Sequence, residues 1–195
     1  MFNKKYGLTE AVLQGRKTMT RRLVKDANLL QWLHEMEVAE YAIKGTIVEE
    51  YSPYKVGEVV AIAQSYKDCG YDGDTKYGWC YDENEERTDV LYKDVPGWKN
   101  KMFVRSSRMP NRIRITDLKV ERLQDISDED CMKEGVFQWG DPFHEDRVED
   151  FDFVGATRHY DTPREAFAAL IDKVSGRGTW DSNPWVFAYS FELVK

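Results

Sequence analysis

The chain has few of the residues from which metal centres and disulfide frameworks are built. Its three cysteines, Cys69, Cys80 and Cys131, are odd in number and show no Cys-x-x-Cys spacing. This argues against a disulfide scaffold and a structural zinc site, and for reduced thiols. His34, His144 and His159 are scattered, with no two at the i, i+4 spacing of a helical metal site, so no metal and no cofactor is expected. No run of 18 or more apolar residues occurs, and Met1-Phe2-Asn3-Lys4-Lys5-Tyr6 leads into no apolar stretch. Neither a membrane span nor a secretory signal is read, and a cytoplasmic location is the expectation. Basic charge is in deficit too, with 28 Lys and Arg against 35 Asp and Glu and a formal net charge of -7. That argues against a protein that coats nucleic acid through a net basic surface, and no long duplex DNA partner is expected. Internal repeats and low-complexity tracts are absent.

What is present suffices for one sizeable core: 195 residues with 42% hydrophobic content are read as a single domain over 1–195. Against the acidic background, Gly15-Arg16-Lys17-Thr18-Met19-Thr20-Arg21-Arg22 carries four cations and two hydroxyls, with no acid between Gln14 and Lys25. A short helix precedes it, with Thr9 as N-cap, Leu8 and Leu13 as a hydrophobic staple and Gly15 at the left-handed position after its end. The cations then either cap the helix and solvate a turn or hold an anionic or carbonyl-bearing ligand.

Apolar spacing at Leu29, Leu30, Leu33 and Met36 predicts an amphipathic helix over 26–42, stopped at Gly45. Val56 to Ser65 is a continuous apolar run that predicts a central strand buried on both faces. A loop over 66–75 follows, then a hairpin of 77–81 and 88–92 around the acidic turn Asp82 to Glu86. From Arg112 the apolar positions are Ile113 and Ile115, and beyond Asp117 they shift parity to Leu118 and Val120. Such a flip predicts a bulge or bend, as where a sheet curls. Arg112 and Arg114 lie on the polar face, solvated or facing phosphates.

Ile126 to Gly135 reads as a compact helix with Ser127 as N-cap, acids in its first turn and an Ile126 to Cys131 staple. Glu134, a carboxylate at the negative end of that helix, is either a surface residue or a group aimed at a site. The acidic, aromatic segment 137–161 is a lid, a binding loop or a disordered insertion. Thr162-Pro163-Arg164-Glu165 opens a well-marked helix with Ala166, Phe167, Leu170, Ile171 and Val174 on one face before Gly176. Trp185, Phe187, Tyr189, Phe191 and Leu193 alternate on a last strand, a stripe that fits core better than a base-stacking platform because no cations flank it. Strands with a few helices, not βαβ units, give an α+β class with a small curled sheet.

Four blocks taken together carry a resemblance: Gly15 to Arg22, Tyr54-Lys55-Val56-Gly57-Glu58-Val59-Val60, Val120-Glu121-Arg122-Leu123-Gln124-Asp125-Ile126-Ser127, and Asn183-Pro184-Trp185-Val186. In this order they resemble the ASCH domains of the PUA-like superfamily, in the longer form often carried by phages and prophages. The resemblance implies a PUA-like curled β-barrel of mixed or antiparallel strands with a few peripheral helices, and a cleft lined by the basic turn. It marks about 26–50 and 137–161 as insertions. Some short members remove the acyl group from N4-acetylcytidine with a Lys and a Thr of the Gly-x-Lys-x-x-Thr turn and a Glu near the end of the helix after the middle block. Those positions match Lys17, Thr20 and Glu134. Arg16, Thr18, Arg21 and Arg22 are implied ligand contacts, and Gln64 joins them where long members commonly end the strand in Arg-Glu.

The implied function is a metal-independent amidohydrolase on an N-acylated base. The alternatives are a non-catalytic module for RNA or a modified nucleotide, and a regulatory domain using the acidic loop. The partner is accordingly a small modified nucleoside or short single-stranded RNA. Chemistry at the trio requires 17–20 to bend as a turn, with Lys17 either as base for a Thr20 nucleophile or as oxyanion stabiliser while Glu134 activates water.

Overall fold

Alternating apolar residues build the inner strands of one sheet. The computed structural model describes residues 2–35, 46–72, 78–82, 84–139 and 150–194. Among these, eight strands form: β1 (Met19–Leu23), β2 (Val59–Ala61), β3 (Trp79–Tyr81), β4 (Arg87–Leu91), β5 (Arg112–Arg122), β6 (Phe137–Trp139), β7 (Asp150–Asp152) and β8 (Trp185–Val194). The helices are α1 (Leu8–Leu13), α2 (Ala27–Glu35), α3 (Thr46–Tyr51), α4 (Asp128–Lys133) and α5 (Pro163–Ser175). The fold is α+β around a curled antiparallel sheet of order β1-β8-β5-β2. β1 pairs with β8 from Met19↔Ser190 to Leu23↔Val186. Leu123 N donates to Pro184 O at one end of the β5–β8 pair, and Ile62 N donates to Asn111 O beyond the end of β2.

The chain gathers into two compact units. Unit 1 is Met1–Phe2, Val60–Ile113 and Val194–Lys195; unit 2 is Asn3–Val59 and Arg114–Leu193. Unit 2 contains β1, most of β5 and β8, the β6–β7 pair and all five helices. Its core is the aromatic stripe, with Phe187, Tyr189 and Phe191 all buried, together with Val120, Leu123, Phe167 and Leu170. Each such side chain withdrawn from water contributes about 1.5–3 kcal/mol. Unit 1 contains the β3–β4 hairpin where the sequence predicts one, paired at Trp79↔Leu91 and Tyr81↔Arg87 with a register shift between the two pairs. Residue 77 lies outside the described residues.

Several expectations change. The run from Val56 is not a central strand: β2 has three residues at the sheet edge, with Val56 and Val59 exposed and Ile62 buried. β8 takes the central place because it pairs on both sides, and in its middle Val186 and Ala188 are buried on the face opposite the aromatics. Thr9 does not cap α1; Gly7 occupies that position at φ +62°, and Thr9 lies buried in the first turn. Segment 137–161 is not all loop, since β6 and β7 pair and Phe151 bridges Tyr160; residues 140–149 lie outside the described residues. The helix expected over 26–42 is described as far as Glu35, with Leu29 and Leu33 fully buried, while its expected end at Gly45 lies outside.

Other expectations hold. β5 buries Ile113 and Ile115, then Leu118 and Val120, the parity flip read from the sequence. Thr162 Oγ1 accepts from Glu165 N at 3.2 Å to start α5, and Ser127 Oγ accepts from Asp130 N at 3.2 Å to start α4.

Candidate functional site: a buried ion network between the first strand and the fourth helix

The short helix α1 ends at Gly15, whose φ of +73° turns the chain back so that Lys17 N donates to Ala11 O. From Thr18 the chain is extended, because Phe191 N donates to Thr18 O and β1 follows directly. Burial alternates along it: Lys17, Met19 and Arg21 are buried, while Thr18, Thr20 and Arg22 are half-buried. The turn needed to bring Lys17 and Thr20 side by side therefore does not form. A strand paired to β8 has period two, so residues three apart face opposite ways.

Glu134 is no surface residue. It follows α4 as its C-cap, 5% exposed, and Gly135 at φ +110° leads the chain away. Its Oε2 lies 2.6 Å from Lys17 Nζ, a pair 117 residues apart in sequence, and Lys17 Nζ also donates to the Glu134 carbonyl at 2.6 Å. Arg21 Nη1 donates to Glu134 Oε1 at 3.2 Å. Arg21 is fixed from the other side as well: Nε and Nη2 both donate to Glu121 Oε1, at 2.9 and 2.6 Å, and Nη2 reaches Asp130 Oδ2 at 3.2 Å. Lys119 lies 2.7 Å from Glu121 Oε2, and Lys133 lies 3.4 Å from Asp130. The helix end that disfavours a carboxylate thus holds one because two cations from the β1 segment meet it there.

Burial pushes the Lys17 amine below its ordinary value of 10.5, and the Glu134 carboxylate partly opposes the shift. For Glu134 burial acts upward, but Lys17 and Arg21 outweigh it and hold the carboxyl below its ordinary 4.5. Lys17 is thus an amine that gives up its proton more readily than an exposed lysine does. Arg21 stays charged, since Glu134 and Glu121 overcome the effect of its burial. Cys131, buried at the same helix, has its thiol pushed up to about 12 by burial and is no nucleophile at neutral pH. Among the described residues, every buried side-chain nitrogen and oxygen has a hydrogen-bond partner.

The opposite face of β1 has a different character. Thr20 is the cross-strand partner of Tyr189, and Arg22 of Phe187. Tyr189 OH and Ser52 Oγ are 2.7 Å apart, and the Tyr54 ring meets Tyr189 edge-on at 5.7 Å between centroids. Hydroxyls, a cation and aromatic rings so adjoin on the half-buried side of the strand.

Of the residues expected at a site, the structure joins Lys17, Arg21 and Glu134. Thr18, Thr20 and Arg22 lie on the other face, and Arg16 is exposed with Nε donating to Gln14 Oε1. Gln64 belongs to unit 1, buried, with Oε1 accepting from Asn111 Nδ2 at 2.8 Å. Sequence reading passed over Glu121, Asp130 and Lys119. Glu121 gave no signal, because its parity opposite to Leu118 and Val120 is that of a solvated position, yet it is buried. Compared with known proteins, the chain matches no family model, no curated protein and no solved structure.

Proposed function

We propose that the protein is an amidohydrolase that removes an acyl group from an N-acylated nucleobase such as N4-acetylcytidine, on a PUA-like fold. The observation that carries this reading is the 2.6 Å contact between Lys17 Nζ and Glu134 Oε2, two buried groups brought together from distant segments, with the amine lowered by burial. Replacing a buried ion pair by apolar residues is often neutral or stabilising, so an elaborate one in a small core invites a functional explanation. In the reaction, water adds to the acyl carbon and gives up a proton; the C–N bond breaks and the amine leaves with a proton. Lys17 and Glu134 form the pair that accepts and returns the proton, with Arg21 holding the carboxylate. Thr20 faces away from Lys17 and is not its nucleophile.

The test is a turnover screen of N-acylated nucleosides and bases. Lys17→Ala and Glu134→Gln should each lose a factor of roughly 10² or more, whereas Thr20→Ala should keep partial turnover. A second reading, a non-catalytic module for a modified nucleotide or short single-stranded RNA, is favoured by one observation: Lys17 is 2% exposed and fully engaged. Binding of an acylated nucleoside without any hydrolysis would select it.

A further inference from the structure

Unit 1 contains a cleft that the β1 site does not use. Residues 95–116 carry six cations, Lys99, Lys101, Arg105, Arg108, Arg112 and Arg114, and no acid, in a chain of net charge -7. The middle of this stretch lines a cavity of about 300 Å³ together with Tyr66, Tyr81, Gly97 and Phe103. Arg105 and Arg108 belong to it through a 3-10 turn, Ser106–Arg108, closed by Arg108 N donating to Arg105 O at 2.9 Å. Arg105, the extended residue before this turn, and Arg108, its last residue, both line the cavity.

Arg108 is held in place: its Nη2 donates to Asp82 O at 3.2 Å, Tyr71 OH donates to its carbonyl at 3.0 Å, and its guanidinium lies 6.0 Å from the Tyr81 ring centre. The opposite wall is equally fixed. A Cβ on Gly97 would fall 2.6 Å from Tyr66 Cε2, so the tyrosine ring rests directly on the backbone there. Tyr66 is braced by Tyr71 and Tyr92 at centroid distances of 5.2 and 4.7 Å. At the mouth, Phe103 is 62% exposed and Tyr81 47% exposed. Large aromatic faces left in water beside two arginine side chains of the same cavity are poor packing, and they match a ligand with a flat apolar ring and an anionic group.

We infer that this cleft binds a phosphate-bearing nucleobase: the base stacks on Phe103 or Tyr81 while Arg105 and Arg108 take the phosphate. Stacking on aromatic rings with arginines along the backbone is how single strands are held without strong sequence preference, and the acidic remainder of the chain limits the contact to a few nucleotides. The same chemistry is offered by single-stranded RNA and by a free nucleotide. The site rests on unit 1 alone and stands whether or not the amidohydrolase reading does.

The test uses the full chain and fluorescence anisotropy with a labelled six-nucleotide oligouridylate, with uridine monophosphate as competitor. Arg105→Ala and Phe103→Ala, both at exposed positions, should keep the parent melting temperature yet weaken the probe by about tenfold or more. Arg105→Ala should also flatten the dependence of log affinity on log salt by about 0.7. An oligomer bound at least about tenfold more tightly than the monophosphate identifies single strands as the ligand, and equal binding identifies the free nucleotide. No binding of either probe, or binding indifferent to both substitutions, overturns the inference. Turnover of an acylated nucleoside, if found, should be unaffected by both variants.

Discussion

Glu134 serves two cations, and this sharing makes the ends of the ion pair unequal. Without Lys17 the carboxylate still has Arg21 at 3.2 Å; without Glu134, Lys17 loses the carboxylate that lay 2.6 Å from it, while Arg21 keeps Glu121 and Asp130. Removing one partner of a buried pair costs about 3–5 kcal/mol. In urea denaturation Glu134→Ala should therefore fall in that range and Lys17→Met should cost clearly less; equal losses would contradict the shared-carboxylate account. The double variant should cost less than the sum of the two. Acid stability follows from the same groups. Glu134 and Asp130 are held below their ordinary 4.5 and 3.8, Asp130 chiefly by Arg21 and Lys119 against the opposing effect of burial. As pH falls, the unfolded chain takes up their protons first. Their stabilisation is thus complete above those values and is lost as pH drops through the lower folded ones. The Glu134→Gln protein should show a shallower fall in unfolding free energy between about pH 5 and 2. Lys17 acts in the opposite range: because its amine is lowered, stability gains as pH rises towards 10.5.

The elements that present this network are short, and their ends matter more than their lengths. α4 has six residues, and it places Asp130 and Glu134 one turn apart before Gly135 leaves at φ +110°. A Cβ at Gly135 would meet Leu8 Cδ2 at 2.9 Å, so Gly135→Ala combines backbone strain with a clash against α1. A loss of about 1–3 kcal/mol is expected, measured as a lowered denaturation midpoint with an unchanged slope. The N-cap of α5 is a milder case: Thr162→Ala removes one capping bond and should cost about 1 kcal/mol, leaving turnover of an acylated nucleoside as it was. β8 is the element that sequence periodicity describes most completely, since Phe187, Tyr189 and Phe191 of its aromatic stripe are core. The run from Val56 looked more like a central strand because it is continuously apolar. Apolar content shows that a strand can be buried, but the pairing order decides whether it is.

At the scale of the whole chain, net charge limits what the local basic patches can do. Random duplex DNA should bind weakly at physiological salt, with a salt slope corresponding to few released ions; a steep slope would show a broad basic surface at work. No helix among the described residues is long and apolar enough to cross a membrane. The sequence by itself determined the class of elements, the capped ends of α4 and α5, the hairpin of β3 and β4 and the parity flip in β5, because each depends on residues within a few positions of one another. It also singled out the basic stretch from Gly15 to Arg22 by a sign inversion and Glu134 by an ill-placed charge on a helix, while Lys17 within that stretch was marked by the family resemblance alone. Only the tertiary structure decided that these two meet, that Arg21 is buried between Glu134 and Glu121 while Arg22 faces the other way, and that Thr20 lies across the strand from Lys17. Those outcomes depend on strand pairing and on contacts spanning about a hundred residues or more, and neither local propensity nor charge pattern encodes which distant partner a buried group will find.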